Sequence, residues 1–128
     1  MIATWLSVPY RDHGRTLAGA DCWGLVRLAR QALRGDILPA YGAIAPADKP
    51  AITQGAQEVM ASGWRPVAPA PGVLATVWRS GLLLHIGIVC AVDGMLGVLD
   101  TTRRTGPRWQ RLTDFERHHR VVYYDDCD

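Results

Sequence analysis

Residues 82 to 101 constrain this chain more than any other stretch. Leu82 to Val92 is a run of leucine, isoleucine and valine, too β-branched and too alternating to be a helix. Asp93-Gly94 follows, a dipeptide suited to the two left-handed positions of a tight hairpin turn. Met95 to Thr101 then returns antiparallel to the first run. The predicted sheet extends upstream to a strand from Val73 to Trp78, through a turn at Arg79, Ser80 and Gly81, and is closed downstream by Arg120 to Tyr124. The intervening Arg103 to Arg111, rich in arginine and containing Gly106-Pro107, reads as a solvated loop.

One helix is equally clear. From Asp21 to Gly35, Leu25, Leu28, Ala29, Ala32 and Leu33 recur at the spacing of one face, with Arg27, Arg30, Gln31 and Arg34 opposite. Asp21 suits the N-cap and Gly35 the C-terminal stop. Four prolines and glycines between Asp36 and Pro50 indicate a connecting loop, and a shorter helix is expected over Ala51 to Ser62, ending at Gly63. Three prolines between Arg65 and Pro71 lead into the strands. With 128 residues, 48% hydrophobic and 20% charged, the expectation is a single α+β domain over residues 1–128 with one continuous core.

The same totals exclude several classes. A formal net charge of +2, with Lys49 the one lysine, gives no case for nucleic acid. No apolar stretch approaches the ~18 residues of a membrane span, and the first dozen residues have no basic segment followed by an apolar run. Synthesis in the cytoplasm without a signal peptide or membrane anchor is therefore expected. The three cysteines, Cys22, Cys90 and Cys127, are odd in number and irregularly spaced, which argues against a disulfide framework and a structural zinc site. No metal or cofactor is expected.

Cys22 falls in the first turn of the predicted helix, at the positive end of its dipole and among backbone N–H groups without intrahelical partners. Both features favour a nucleophilic thiolate, and the same N–H groups suit the oxyanion formed when a thiolate attacks a carbonyl. A buried cysteine packing the helix start fits the residue pattern as well. His85 stands in an otherwise apolar strand, where an imidazole is either a satisfied core residue or a base, and Gly87 leaves space on its face.

These residues occur in a recognisable order: Pro9-Tyr10, then Gly19-Ala20-Asp21-Cys22-Trp23-Gly24-Leu25-Val26, then Leu38-Pro39, then His85-Ile86-Gly87-Ile88. The order resembles the NlpC-type cysteine peptidases, particularly the short versions encoded with phage tails and gene transfer agents, over about Pro9 to Tyr124. The resemblance implies a papain-like fold in which the helix carrying the cysteine packs on an antiparallel sheet carrying the histidine. It implies hydrolysis of peptide-stem amide bonds in peptidoglycan, commonly after a D-glutamyl residue, with Cys22 as nucleophile and His85 as general base and acid. It also implies carriage by a phage-like tail with hub or tip proteins as partners. Tyr10 matches a tyrosine that approaches the cysteine, and Asp21 an acidic residue on the substrate side; packing of the ring and simple N-capping account for them equally.

Two positions depart from the family pattern. The family generally has a polar residue about twelve positions after the base, where this chain has Gly97. A tail-tip assembly protein that keeps the fold without efficient catalysis is accordingly the second reading. Hairpin register supplies a substitute: with a two-residue turn at Asp93-Gly94, Gly87 faces Asp100, and Asp100 shares a sheet face with His85 at a diagonal backbone separation of roughly 7 to 8 Å. A three-residue turn would send Asp100 to the other face. The second departure is Val73, which follows Gly72 where many relatives have aspartate. Trp64, Trp78 and Trp109 are candidates either for a substrate groove or for packing, and His118 and His119 for a solvated corner.

Overall fold

The computed structural model describes residues 2–38, 53, 54, 57 and 63–126. A short helix α1 (Ile2–Leu6) and a two-stranded ribbon, β1 (Arg15–Thr16) and β2 (Gly19–Ala20), precede the helix α2 (Cys22–Arg34). The strands β3 (Trp64–Pro66), β4 (Leu74–Arg79), β5 (Leu82–Val92), β6 (Met95–Thr102) and β7 (Gly106–Arg111) follow. A short helix α3 (Leu112–His118) and the strand β8 (Val121–Asp126) complete the described chain. One antiparallel sheet in the order β3-β8-β4-β5-β6-β7 contains six of the strands. The expected α+β class and the cysteine-bearing helix against an antiparallel sheet are what the chain forms.

The boundaries of α2 follow from its caps. The Asp21 carboxylate accepts from the Gly24 N–H at 2.8 Å, and Gly35, at φ 80°, adopts the left-handed conformation that ends the helix. The apolar face buries Leu25, Val26 and Ala29 against Ile88, Cys90 and Leu99 of the sheet, with Trp5 and Val8 beside them. Period-2 alternation sends the intervening Val89 and Val98 to the opposite face, where they join Val73, Val77, Tyr123 and Phe115 of α3. The sheet is thus covered on both faces, and it divides the described core into two clusters where one continuous core was expected.

Arg30 departs from the amphipathic reading of α2. It is fully buried, and its guanidinium reaches Asp36 at 2.7 Å, Asp125 at 3.0 Å, Asp126 at 2.9 Å and the Gly72 carbonyl at 2.7 Å. It also lies 5.3 Å from the centre of the Trp64 ring. Complete pairing is what makes burial of this charge tolerable. The stretch expected to be an arginine-rich loop is also corrected: Gly106 to Arg111 pair residue for residue with β6 and form the edge strand β7. Neither α1 nor α3 is signalled by the sequence. The helix expected over residues 51 to 62 lies largely outside the described residues, as does Cys127.

Close packing at the start of α2 explains Gly24. A Cβ there would stand 2.1 Å from the Gly14 carbonyl oxygen, so the missing side chain lets the loop carrying Tyr10 lie across the first helical turn. Gly24→Ala is expected to destabilise the protein by about 1–3 kcal/mol through overpacking, seen as a lower urea midpoint at an unchanged slope.

Candidate active site

Cys22 is the first residue of α2 and is partly exposed. The Asp21 cap accepts from the Gly24 N–H through its side chain and from the Leu25 N–H through its carbonyl. No described residue accepts from the Cys22 backbone N–H, a donor of the kind a helix start leaves over.

His85 reaches this sulfur from β5. The β4–β5 ladder pairs Val77 with His85 and then Trp78 with Leu83, so Leu84 is an extra residue next to the histidine. Such a bulge re-aims neighbouring side chains. His85 and Cys22 line one cavity, close enough for the cysteine to favour the charged imidazole, and the ring Nε2 lies 2.8 Å from Asp100 Oδ2. Because a carboxylate only accepts, Nε2 carries the proton of that bond and Nδ1 is left to face the sulfur.

Asp100 stands where a two-residue turn puts it. Asp93 and Gly94 both have positive φ, 52° and 79°, and the ladder pairs Val92 with Met95 and Ile88 with Leu99. Continued by one step, this register sets Asp100 opposite Gly87, and a Cβ on Gly87 would stand 3.2 Å from Asp100 Cβ and 2.6 Å from Val98 Cγ1. The bare backbone of Gly87 therefore leaves the diagonal path from Asp100 to His85 open. The Asp100 side chain is fully buried, and its other oxygen accepts from Arg108 Nε at 3.3 Å. Arg108 is its directly opposed partner on β7.

These neighbours set the protonation of the imidazole. Burial alone pushes the His85 pKa down, but the hydrogen bonds to Asp100 and Cys22, with their negative charge, outweigh it and raise the value to about 9. Burial pushes the Cys90 thiol up to about 11, the condition of an inert core cysteine. Burial and the Asp12 carboxylate raise Tyr10 to about 12, so its phenol stays protonated. Burial, helped by the charge of His85, holds His119 below the ordinary histidine range.

A cavity of about 360 Å³ opens over Cys22 and His85. Tyr10, Val77, Asp100, Arg103, Arg108 and His119 are also in its lining. The structure thus brings Cys22, His85, Asp100 and Tyr10 to one place. Asp21 is not in that lining; it is buried as the helix cap and pairs with Arg15 at 2.7 Å. Gly97 pairs with Cys90, well along the strand from His85, and its missing Cβ makes room for the Trp109 ring, whose Cε2 would be 2.3 Å away. The side chain beside the imidazole is therefore Asp100, fifteen positions on, and not residue 97. Trp109 donates to the Cys90 carbonyl and Trp78 to Thr76 Oγ1, and none of the three tryptophans lines the cavity. Arg108 and His119 are site residues that sequence reasoning assigns to solvent.

The arrangement of α2 and the sheet has a counterpart among solved structures. The NlpC/p60 domain of the peptidoglycan hydrolase SagA aligns with 94% of this chain and 92% of its own at a TM-score of 0.55 and 17% identity. The fold is NlpC/p60-like. No protein-family model and no curated protein matches the sequence. Within this NlpC/p60-like fold, Cys22 starts the helix and His85 stands on the sheet, the disposition that the sequence resemblance implies.

The histidine titration gives a direct check of the cluster. His85 should hold its proton through neutral pH and titrate near 9, followed by NMR of the ring. In Asp100→Asn the midpoint should move down, because the neutral amide no longer favours the imidazolium.

Proposed function

We propose that this protein is a cysteine peptidase that hydrolyses amide bonds in the stem peptides of bacterial peptidoglycan. The observation that carries the reading is the His85–Asp100 hydrogen bond in a cavity that Cys22, at the start of its helix, also lines. The SagA domain is that of a peptidoglycan hydrolase, which supports the choice of substrate.

The chemistry follows from the order of groups. The Cys22 sulfur attacks the scissile carbonyl, and the Cys22 N–H at the helix start stabilises the oxyanion. His85 donates its proton from the nitrogen facing the sulfur to the leaving amine, and the C–N bond breaks to give a thioester. His85 then takes a proton from water, the resulting hydroxide attacks the thioester, and the acid product leaves with Cys22 restored. Asp100 fixes the ring and stabilises its charged form throughout. Tyr10, a neutral phenol on the cavity wall bonded to Asp12, shapes the substrate side of the cavity.

The alternative, an inactive tail-tip protein that keeps the fold, draws on Gly97; Asp100 on the imidazole supports the enzyme reading. Carriage on a phage-like tail, with hub or tip proteins as partners, is supported by sequence resemblance and is part of the proposal.

Cys22→Ser is expected to abolish release of stem-peptide fragments from purified peptidoglycan, and His85→Ala to lower it by about 10²–10⁴-fold. Alkylation of Cys22 by iodoacetamide should be faster in the native protein than in His85→Ala; equal rates in the two would remove the basis for the pair. Hydrolysis should decline as pH rises through about 9, where His85 loses the proton needed by the leaving amine, and in Asp100→Asn that decline should begin at lower pH.

A further inference from the structure

The cationic side chains around the cavity differ in what they have left to offer. The His85 ring is occupied by Asp100 and Cys22. Arg103 is paired with Asp12 and also bonds Tyr10. His119 is held toward its neutral form by burial. Arg108 is different: its Nε donates to Asp100, and no described residue accepts from either Nη. Its side chain is 38% exposed and lines the cavity with Cys22 and His85. A guanidinium with one edge fixed and a second edge open is a preorganised fork for a planar anion.

We propose that Arg108 is a specificity-determining residue whose Nη edge takes a carboxylate carried by the substrate beside the scissile amide, while its Nε holds Asp100. The proposal rests on the peptidase reading above for the nature of the substrate. Among the described residues the only carboxylate in the cavity lining, Asp100, is already shared between His85 and Arg108. An incoming carboxylate therefore meets a wall on which the Nη edge of Arg108 is an open, charged donor. The contact would also couple substrate charge to the ring: an anion on Nη holds the guanidinium in place, and with it the Asp100 oxygen that Nε reaches. Arg108→Lys keeps the charge but replaces the planar two-edged fork with a shorter point donor.

Two stem peptides that differ only in a free carboxylate or a carboxamide on the residue preceding the scissile bond separate the possibilities. Their binding to Cys22→Ser protein is measured by calorimetry, with and without Arg108→Gln or Arg108→Lys, and their hydrolysis is measured in the Cys22 protein. The carboxylate peptide should bind about tenfold or more tightly than its carboxamide twin. Arg108→Gln should erase that preference, and Arg108→Lys should retain part of it. An NMR titration of His85 in each variant checks that the cluster is still assembled. No preference in the Cys22→Ser protein, including no binding of either peptide, overturns the proposal, as does a preference that survives Arg108→Gln. Absence of turnover of both peptides by the Cys22 protein would instead count against the peptidase reading, and the binding comparison would still decide the role of Arg108.

Discussion

The two residues of the Asp93-Gly94 turn set the register on which the site depends. Both adopt left-handed φ, which matches the twist of the strands they join and leaves no third residue in the loop. Side chains alternate across a strand, so one added residue would turn Asp100 into the α2 face and put an apolar neighbour beside the imidazole. The β6–β7 register then brings Arg108 opposite Asp100. Gly87, Asp100 and Arg108 lie in one row across three strands, and the empty first place in that row lets the carboxylate lean diagonally to His85.

Electrostatics at the site follow from how little water reaches Asp100. A carboxylate with a fully buried side chain is tolerable only with good partners, and it has two: the His85 ring and the Arg108 guanidinium. The imidazole gains from the same bond, since its charged form is favoured against the cost of burial. Farther out, the ion pair of Asp12 and Arg103 joins the loop before β1 to the turn after β6, and Tyr10 is bonded into the same group.

What the sequence disclosed was governed by the length and strength of local patterns. The limits of α2 were legible because two good caps bracket an apolar stripe, and the β5–β6 hairpin because β-branched runs flank a dipeptide of narrow conformational range. The strand β7 was hidden because it occupies the sheet edge, where arginines and Pro107 are compatible with pairing on one side. The helix α3, with Phe115 its one buried side chain, is too short to show a period. Arg108 could have been found only by pairing Asp100 across a turn that looked like loop. The position of the group beside His85 was missed by a count along the chain, because a spacing of twelve carries no information about hairpin length; the strand register did. For Arg30, its place on the polar side of the helix wheel concealed three aspartates, two of them more than ninety positions away in sequence.

That buried arginine has a mechanical meaning. Arg30 lies eight residues beyond Cys22 on the same helix, about 12 Å along the axis, and is pinned to the end of β8, the loop before β4 and the residue just past the helix cap. The helix is thus held at both ends, by Arg30 toward its C-terminus and by the Asp21 cap and the Gly14 loop beside the sulfur. A tilt of about 5° at Arg30 would swing the sulfur by roughly 1 Å over that arm, a displacement of the size that separates a productive nucleophile from a misplaced one. The angle of the helix that carries the cysteine is thus shared between a local cap and two acidic residues of the last described strand, far from the reactive end.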